Sequence, residues 1–261
     1  MKNFIKFVIV IFVIIAIIYL GYTFIFTNKR ASQTAESAQN SPFSISKITV
    51  YTSAHGINKN ANFQQNNWVL DIWQYSDIAV FIDNGESTLS PENTVKALSL
   101  TDISISAPKL GTSNLYYLDT LTFGTPTISE NYKLADYLEF TALNDSNENS
   151  WAKYNTPIFF TDCSNPITLK YVNNPVKENF EIQANEPVFF DGRLLKMAEI
   201  PLDDLAATIH FTVNLKSNDD KKFECKIALP ISLENETSSI YDGSVLIENE
   251  YEDLSFEKVA E

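Results

Sequence analysis

Between Lys6 and Lys29 the chain runs for 22 residues without a charge, most of them Ile, Val, Phe, Leu or Tyr. As a helix this stretch reaches roughly 33 Å, about the hydrocarbon thickness of a bilayer. A helix apolar on every face needs lipid or protein around it, and a polar spacer follows this one, which leaves little protein to surround it. A cleaved secretory leader has a shorter apolar region, of about 7–15 residues, closed by a small-x-small site. Here the apolar run continues from Phe7 to Phe26, and the first small pair, Ala35 and Ser37, lies well beyond it around Glu36. The reading is one uncleaved N-terminal transmembrane helix through residues 7–26, with Tyr19, Tyr22, Phe24 and Phe26 suited to a headgroup boundary.

Orientation follows from the remainder. Lys2, Lys6 and the terminal amine nearly balance Lys29 and Arg30. Residues 31–261 carry a net −18 of the chain's −14, and nothing basic in them holds a body against an anionic inner leaflet. The expected location is the cell membrane, single-pass, with the amino terminus inside and the body on the extracytoplasmic side. The same charge excludes nucleic acid as a partner, since its phosphates would be repelled.

Composition shifts divide the chain into a short cytoplasmic tail and transmembrane helix at 1–28 and a flexible polar linker at 29–44. An extracytoplasmic domain follows at 45–233, and then an acidic tail at 234–261 with nine carboxylates against Lys258 alone. The polar stretch 144–150 is the place for a subdivision of the body.

Within the body the apolar period is mostly two. Ile209, Phe211, Val213 and Leu215 alternate with polar neighbours, "SNDD" turns the chain, and Phe223, Cys225, Ile227, Leu229 and Ile231 alternate again, which predicts a hairpin. Pro230 near its end predicts an edge or a bulge. Runs at Ile45–Thr52, Trp68–Trp73, Ile78–Asp83, Leu100–Ser106, Leu115–Phe123, Tyr137–Leu143, Pro157–Thr161, Ile167–Val172, Phe180–Gln183 and Val188–Phe190 are short and parted by Asn, Pro, Ser or Gly. Such spacing predicts an all-β fold, an antiparallel β-sandwich or jelly-roll-like body. Helix is minor: a turn or two opened by Ser90-Pro91-Glu92, and short helices at Arg193–Ala198 and Asp203–Ala207.

Few residues offer chemistry. The two histidines fall apart in the pattern, His210 on the polar face of a strand and His55 before Gly56 in an expected loop. The two cysteines, Cys163 and Cys225, allow one disulfide or two buried thiols. Their separation resembles an immunoglobulin-type bridge, but no tryptophan lies between them. The acidic loops "DNGE" (83–86), "NDSNEN" (144–149) and "SNDD" (217–220) lack calcium-loop spacing and read as turns. No metal or cofactor is expected.

In "NNWVLDIWQYSD", Trp68, Leu70 and Ile72 share one face and Trp73 the other, so Trp73 and Tyr75 are the candidates for surface aromatic contacts with a protein or glycan ligand. Packing of both tryptophans inside is the competing expectation. The sequence thus points away from an enzyme and toward a membrane-anchored β-domain that acts by binding or assembly. A tethered subunit of a secretion or envelope complex is an alternative, as is a carbohydrate-active enzyme with paired carboxylates.

Overall fold

In a computed structural model the chain divides into residues 1–41 and a compact unit, Pro42–Glu261. The structure describes residues 41–59, 68–83, 90–118, 123–135, 137–141, 167–183, 187–250 and 254–259. The expected membrane segment 7–26, the linker up to residue 40, the subdivision near 144–150 and the Pro157–Thr161 strand lie outside them. Among the described residues no helix is long and apolar enough to cross a membrane.

The compact unit is built from two antiparallel sheets with almost no helix. The strands are β1 (Ser44–Asn58), β2 (Trp68–Asp83), β3 (Val95–Ser106), β4 (Ser113–Tyr117), β5 (Lys133–Leu134), β6 (Leu138–Thr141), β7 (Ile167–Ile182), β8 (Thr208–Ser217), β9 (Lys222–Pro230), β10 (Ser244–Glu250) and β11 (Glu257–Lys258). One sheet runs β10-β1-β2-β7-β4-β5 and the other β11-β9-β8-β3-β6. A single turn of helix, α1 (Arg193–Met197), adds Leu194 and Leu195 to the core.

The β8–β9 hairpin is the one that strict alternation predicts: its inward positions Ile209, Phe211, Val213, Leu215, Phe223, Cys225, Ile227 and Leu229 are all buried. Pro230 closes β9 opposite Thr208. Its turn residues Asp219 and Asp220 face lysines: Asp219 binds Lys221, and Asp220 binds Lys96 and Lys216, which hold its carboxyl down at about 2.

The six-stranded sheet departs from expectation. Trp68–Trp73 and Ile78–Asp83, expected as separate short strands, are the two ends of β2, which is buried at nine consecutive positions, Ile72 to Val80. Ile167–Val172 and, up to Ile182, the run expected at Phe180–Gln183 likewise belong to β7. Alternation fails here because both faces of the sheet are buried. Leu70, Ile72, Ile78, Val80 and Ile82 point into the main core, while Trp73 and Tyr75 join Tyr116 and Val172 in a second cluster on the far face. The polar residues between them, which look like a break in the sequence, sit on the strand. Ser76 hydrogen-bonds Thr52 at 2.9 Å, whereas Gln74, fully buried, has no hydrogen-bond partner for either amide atom.

The acidic segment after Leu233 is also part of the fold. β10 pairs with β1 from Lys47↔Glu250 to Ser53↔Ser244, and β11 pairs with β9, so the segment adds an edge strand to each sheet. Its sparse apolar residues carry the attachment. Ile240, Val245 and Phe256 are at most 1% exposed, and Phe256 meets Phe43 edge-on at 6.3 Å, which in turn meets Phe223 at 5.4 Å. Phe43 itself is buried, which places the start of the folded unit inside the expected linker. Ser90-Pro91-Glu92 forms a turn closed by Asn93, whose Oδ1 accepts from the Ser90 amide, and no helix follows.

Candidate functional site

The far face of the six-stranded sheet carries the densest chemistry among the described residues. Strand register sets its rows: Tyr51 stands opposite Asp77 on β2 and Leu246 on β10, Ser53 opposite Tyr75, His55 opposite Trp73, and Ile57 opposite Asp71. Across the other edge of β2, Asp77 stands directly opposite Lys170 on β7, and Lys170 opposite Tyr116 on β4.

Trp73 and Tyr75, the candidates for surface contact, are 4% and 3% exposed. That expectation is corrected: the rings lie under a further layer of chain. Residues 123–132 run over this face, where Ile128 packs on the aromatic cluster and Glu130 accepts a hydrogen bond from the Tyr116 hydroxyl at 3.2 Å. His55, expected in a loop, is on β1, edge-on to Trp73 at 5.8 Å. Burial pushes its imidazole below the ordinary value, against a backbone hydrogen bond with Phe190 that raises it. Stacked neighbours make a continuous aromatic seam: Phe123, Tyr51, Tyr75, Trp73, His55, Phe190, Trp68. The seam surfaces at its ends, where Phe123 and Leu246 lie at one and Phe190 and Ile57 at the other, each more than a third exposed.

Beside Tyr75, toward the Phe123 end of the seam, lies an ion pair almost wholly shielded from water. Lys170 Nζ is in direct contact with Asp77 Oδ1, and both side chains are 1% exposed. Asp77 Oδ2 accepts the Gly124 amide at 2.9 Å, and Lys170 Nζ donates to the Thr125 carbonyl at 2.7 Å. The Tyr75 ring lies 4.7 Å from the same nitrogen. Gly124 adopts φ +76°, a left-handed conformation that glycine takes without strain and that aims its amide at Asp77. Burial pushes the Asp77 carboxyl up and the Lys170 amine down; for both, loss of hydration outweighs mutual attraction. Burial, with Tyr51 and Asp77 nearby, pushes the Tyr75 phenol far up as well.

The remaining candidates do not converge. Cys225 is a buried free thiol raised to about 11 by burial and by Glu257, and Cys163, its expected bridge partner, lies outside the described residues. His210 is on the polar face of β8, where its Nε2 meets Ser106 at 3.2 Å. A groove of about 280 Å³ crosses β3, β8 and β9, and Glu224 is the one carboxylate in its lining. No group of three or more metal-ligating side chains exists among the described residues.

Asp77 and Lys170 are not among the residues that sequence pattern singles out as nucleophiles or ligands. The available signal was a single charge in the middle of each of two apolar strands, "YSDIAVFI" and "ITLKYV". Nothing in the sequence says that residues 93 apart face one another. Comparison with known protein families, curated proteins and solved structures returns no match.

Proposed function

We propose that the protein is a single-pass, membrane-anchored β-sandwich presented on the extracytoplasmic side, acting by binding or assembly through the far face of its six-stranded sheet. The observation that carries the binding face is the placement of exposed apolar side chains. Of the five large ones among the described residues, Ile57, Phe123, Phe190 and Leu246 belong to the ends of one aromatic seam, and only Tyr137 lies elsewhere. Exposed apolar side chains at both ends of one seam, on an otherwise strongly acidic chain, mark places where a partner removes them from water. The rings beneath pack on one another, and Tyr75 also lies against Lys170, so they are already in place before a ligand arrives, which lowers the ordering cost of association. The anchoring helix rests on the 22-residue uncharged run.

Chemical crosslinking in intact membranes, followed by recovery of the tagged full chain, tests this reading. F190S and L246S together should abolish capture of the wild-type partner while leaving the protein cooperatively folded, with an unfolding midpoint lowered only by the two ring contacts that Phe190 makes. Undiminished capture by the double variant, with the fold intact, would place the binding surface elsewhere.

A further inference from the structure

We propose that Lys170 and Asp77 condense into an intramolecular isopeptide bond that staples β7 to β2. Four features of the site point to a covalent pair. The amine and the carboxyl are in contact across directly opposed positions of neighbouring strands, so the reacting groups are aligned by the sheet and need no search. Both side chains are 1% exposed, which sets this pair apart from every other described ion pair; in Lys59–Asp71, on the same sheet, the two are 48% and 14% exposed.

The surrounding partners are those of an amide. A buried ammonium needs acceptors for three protons and a buried carboxylate has about four lone-pair sites, yet apart from each other the described partners are one acceptor, the Thr125 carbonyl, and one donor, the Gly124 amide. An amide between Nζ and Cγ has one N–H and one carbonyl oxygen. Its N–H would donate to Thr125 and its oxygen, the present Oδ2, would accept from Gly124. Each half of the product is satisfied by a group already in place.

The chemistry closes without an oxidant, a metal or an activated co-reactant. The ammonium first passes one proton to Oδ1, leaving a neutral amine beside a neutral acid. Burial shifts both groups in the direction of that neutral form. The Nζ lone pair then attacks Cγ, and the Gly124 N–H holds the negative charge that develops on Oδ2. The nitrogen gives a second proton to the departing oxygen, the Cγ–Oδ1 bond breaks, and one water leaves. Loss of that water to bulk from a site closed by Tyr75 and residues 123–125 drives the step and opposes its reversal. The finished bond closes a loop whose ends are 93 residues apart.

The inference does not depend on where the body sits or on what it binds, and the deciding measurement uses the full chain. After complete denaturation and trypsin digestion, a stapled protein yields one branched product in which residues 60–96 are joined to residues 154–177, lighter by one water than the two peptides together and uncleaved after Lys170. K170R, which keeps the cation and removes the attacking amine, should give only linear peptides. Boiled K170R should also migrate more slowly on a denaturing gel than the wild type, which stays partly looped. Recovery of peptide 60–96 and of a peptide ending at Lys170, both linear and at their sequence masses, from folded wild-type protein would overturn the proposal. So would a branched product that persists in K170R.

Discussion

Replacing Phe256 by alanine removes a ring that is fully enclosed, although it lies in a segment whose composition reads as a solvated end. A buried Phe→Ala change costs about 3–5 kcal/mol, the lost transfer energy plus the cavity left behind. The cavity has little means of closing. Phe256 is flanked by β11, held to β9 by the pairs Glu257↔Glu224 and Lys258↔Phe223, and by a hydrogen bond from the Val259 amide to the Lys222 carbonyl at 2.9 Å. The edge-on contact with Phe43 adds about 0.5–1.5 kcal/mol of pair energy. We therefore expect F256A to lose about 4 kcal/mol in equilibrium urea unfolding followed by tryptophan fluorescence. For a domain of this size that is roughly 8–16 °C in melting temperature. F43A should lose a similar amount, and the double variant less than the two together, because the rings share one contact. L246S, at a half-exposed edge position, should stay within about 0.5 kcal/mol of wild type. A loss below about 1 kcal/mol for F256A would show that the acidic segment is not part of the cooperative fold.

Three further outcomes follow from particular groups. Gln74 points into the main core with both amide atoms unpartnered, so Q74L should stabilise the protein by about 1–3 kcal/mol in the same urea experiment, and a destabilisation would mean that the amide has a partner such as a buried water. Burial lowers the pKa of His55 in the folded state, so the unfolded chain binds the extra proton first; stability is full above the ordinary value of 6.5 and falls as pH drops below it. H55Q should flatten the dependence of melting temperature on pH between about 7 and 5, and an unchanged slope would assign it to other groups. Cys225, raised to about 11, should resist iodoacetamide at pH 8 in the native protein and react on denaturation; rapid native labelling at this residue would contradict its burial.

How much of this was legible in the sequence depends on how many layers bury an element. The β8–β9 hairpin has one face inward and one outward, and its alternation marks both strands and the turn between them. β2 has both faces covered, so its sequence carries no period, and Gln74, Ser76 and Asp77 in the middle of the strand read as a break. The same cover hides Trp73 and Tyr75: which side of a strand they occupy follows from parity, but residues 123–132 lie over that side only in three dimensions. The acidic segment misleads for another reason. Nine carboxylates dominate its composition, while three well-spaced residues, Ile240, Val245 and Phe256, fix it to the core. The Asp77–Lys170 contact is a matter of register between β2 and β7, which composition and local pattern do not encode.

We propose a folded β-body held on the extracytoplasmic side by an uncleaved helix at residues 7–26. Protease added to intact cells, followed by mass spectrometry of what remains in the membrane, tests this most directly. The expected result is loss of the body and retention of a short membrane fragment that begins at the chain's own amino terminus. Full protection of the body in cells with a sealed envelope, or a mature chain that begins after residue 30, would contradict it.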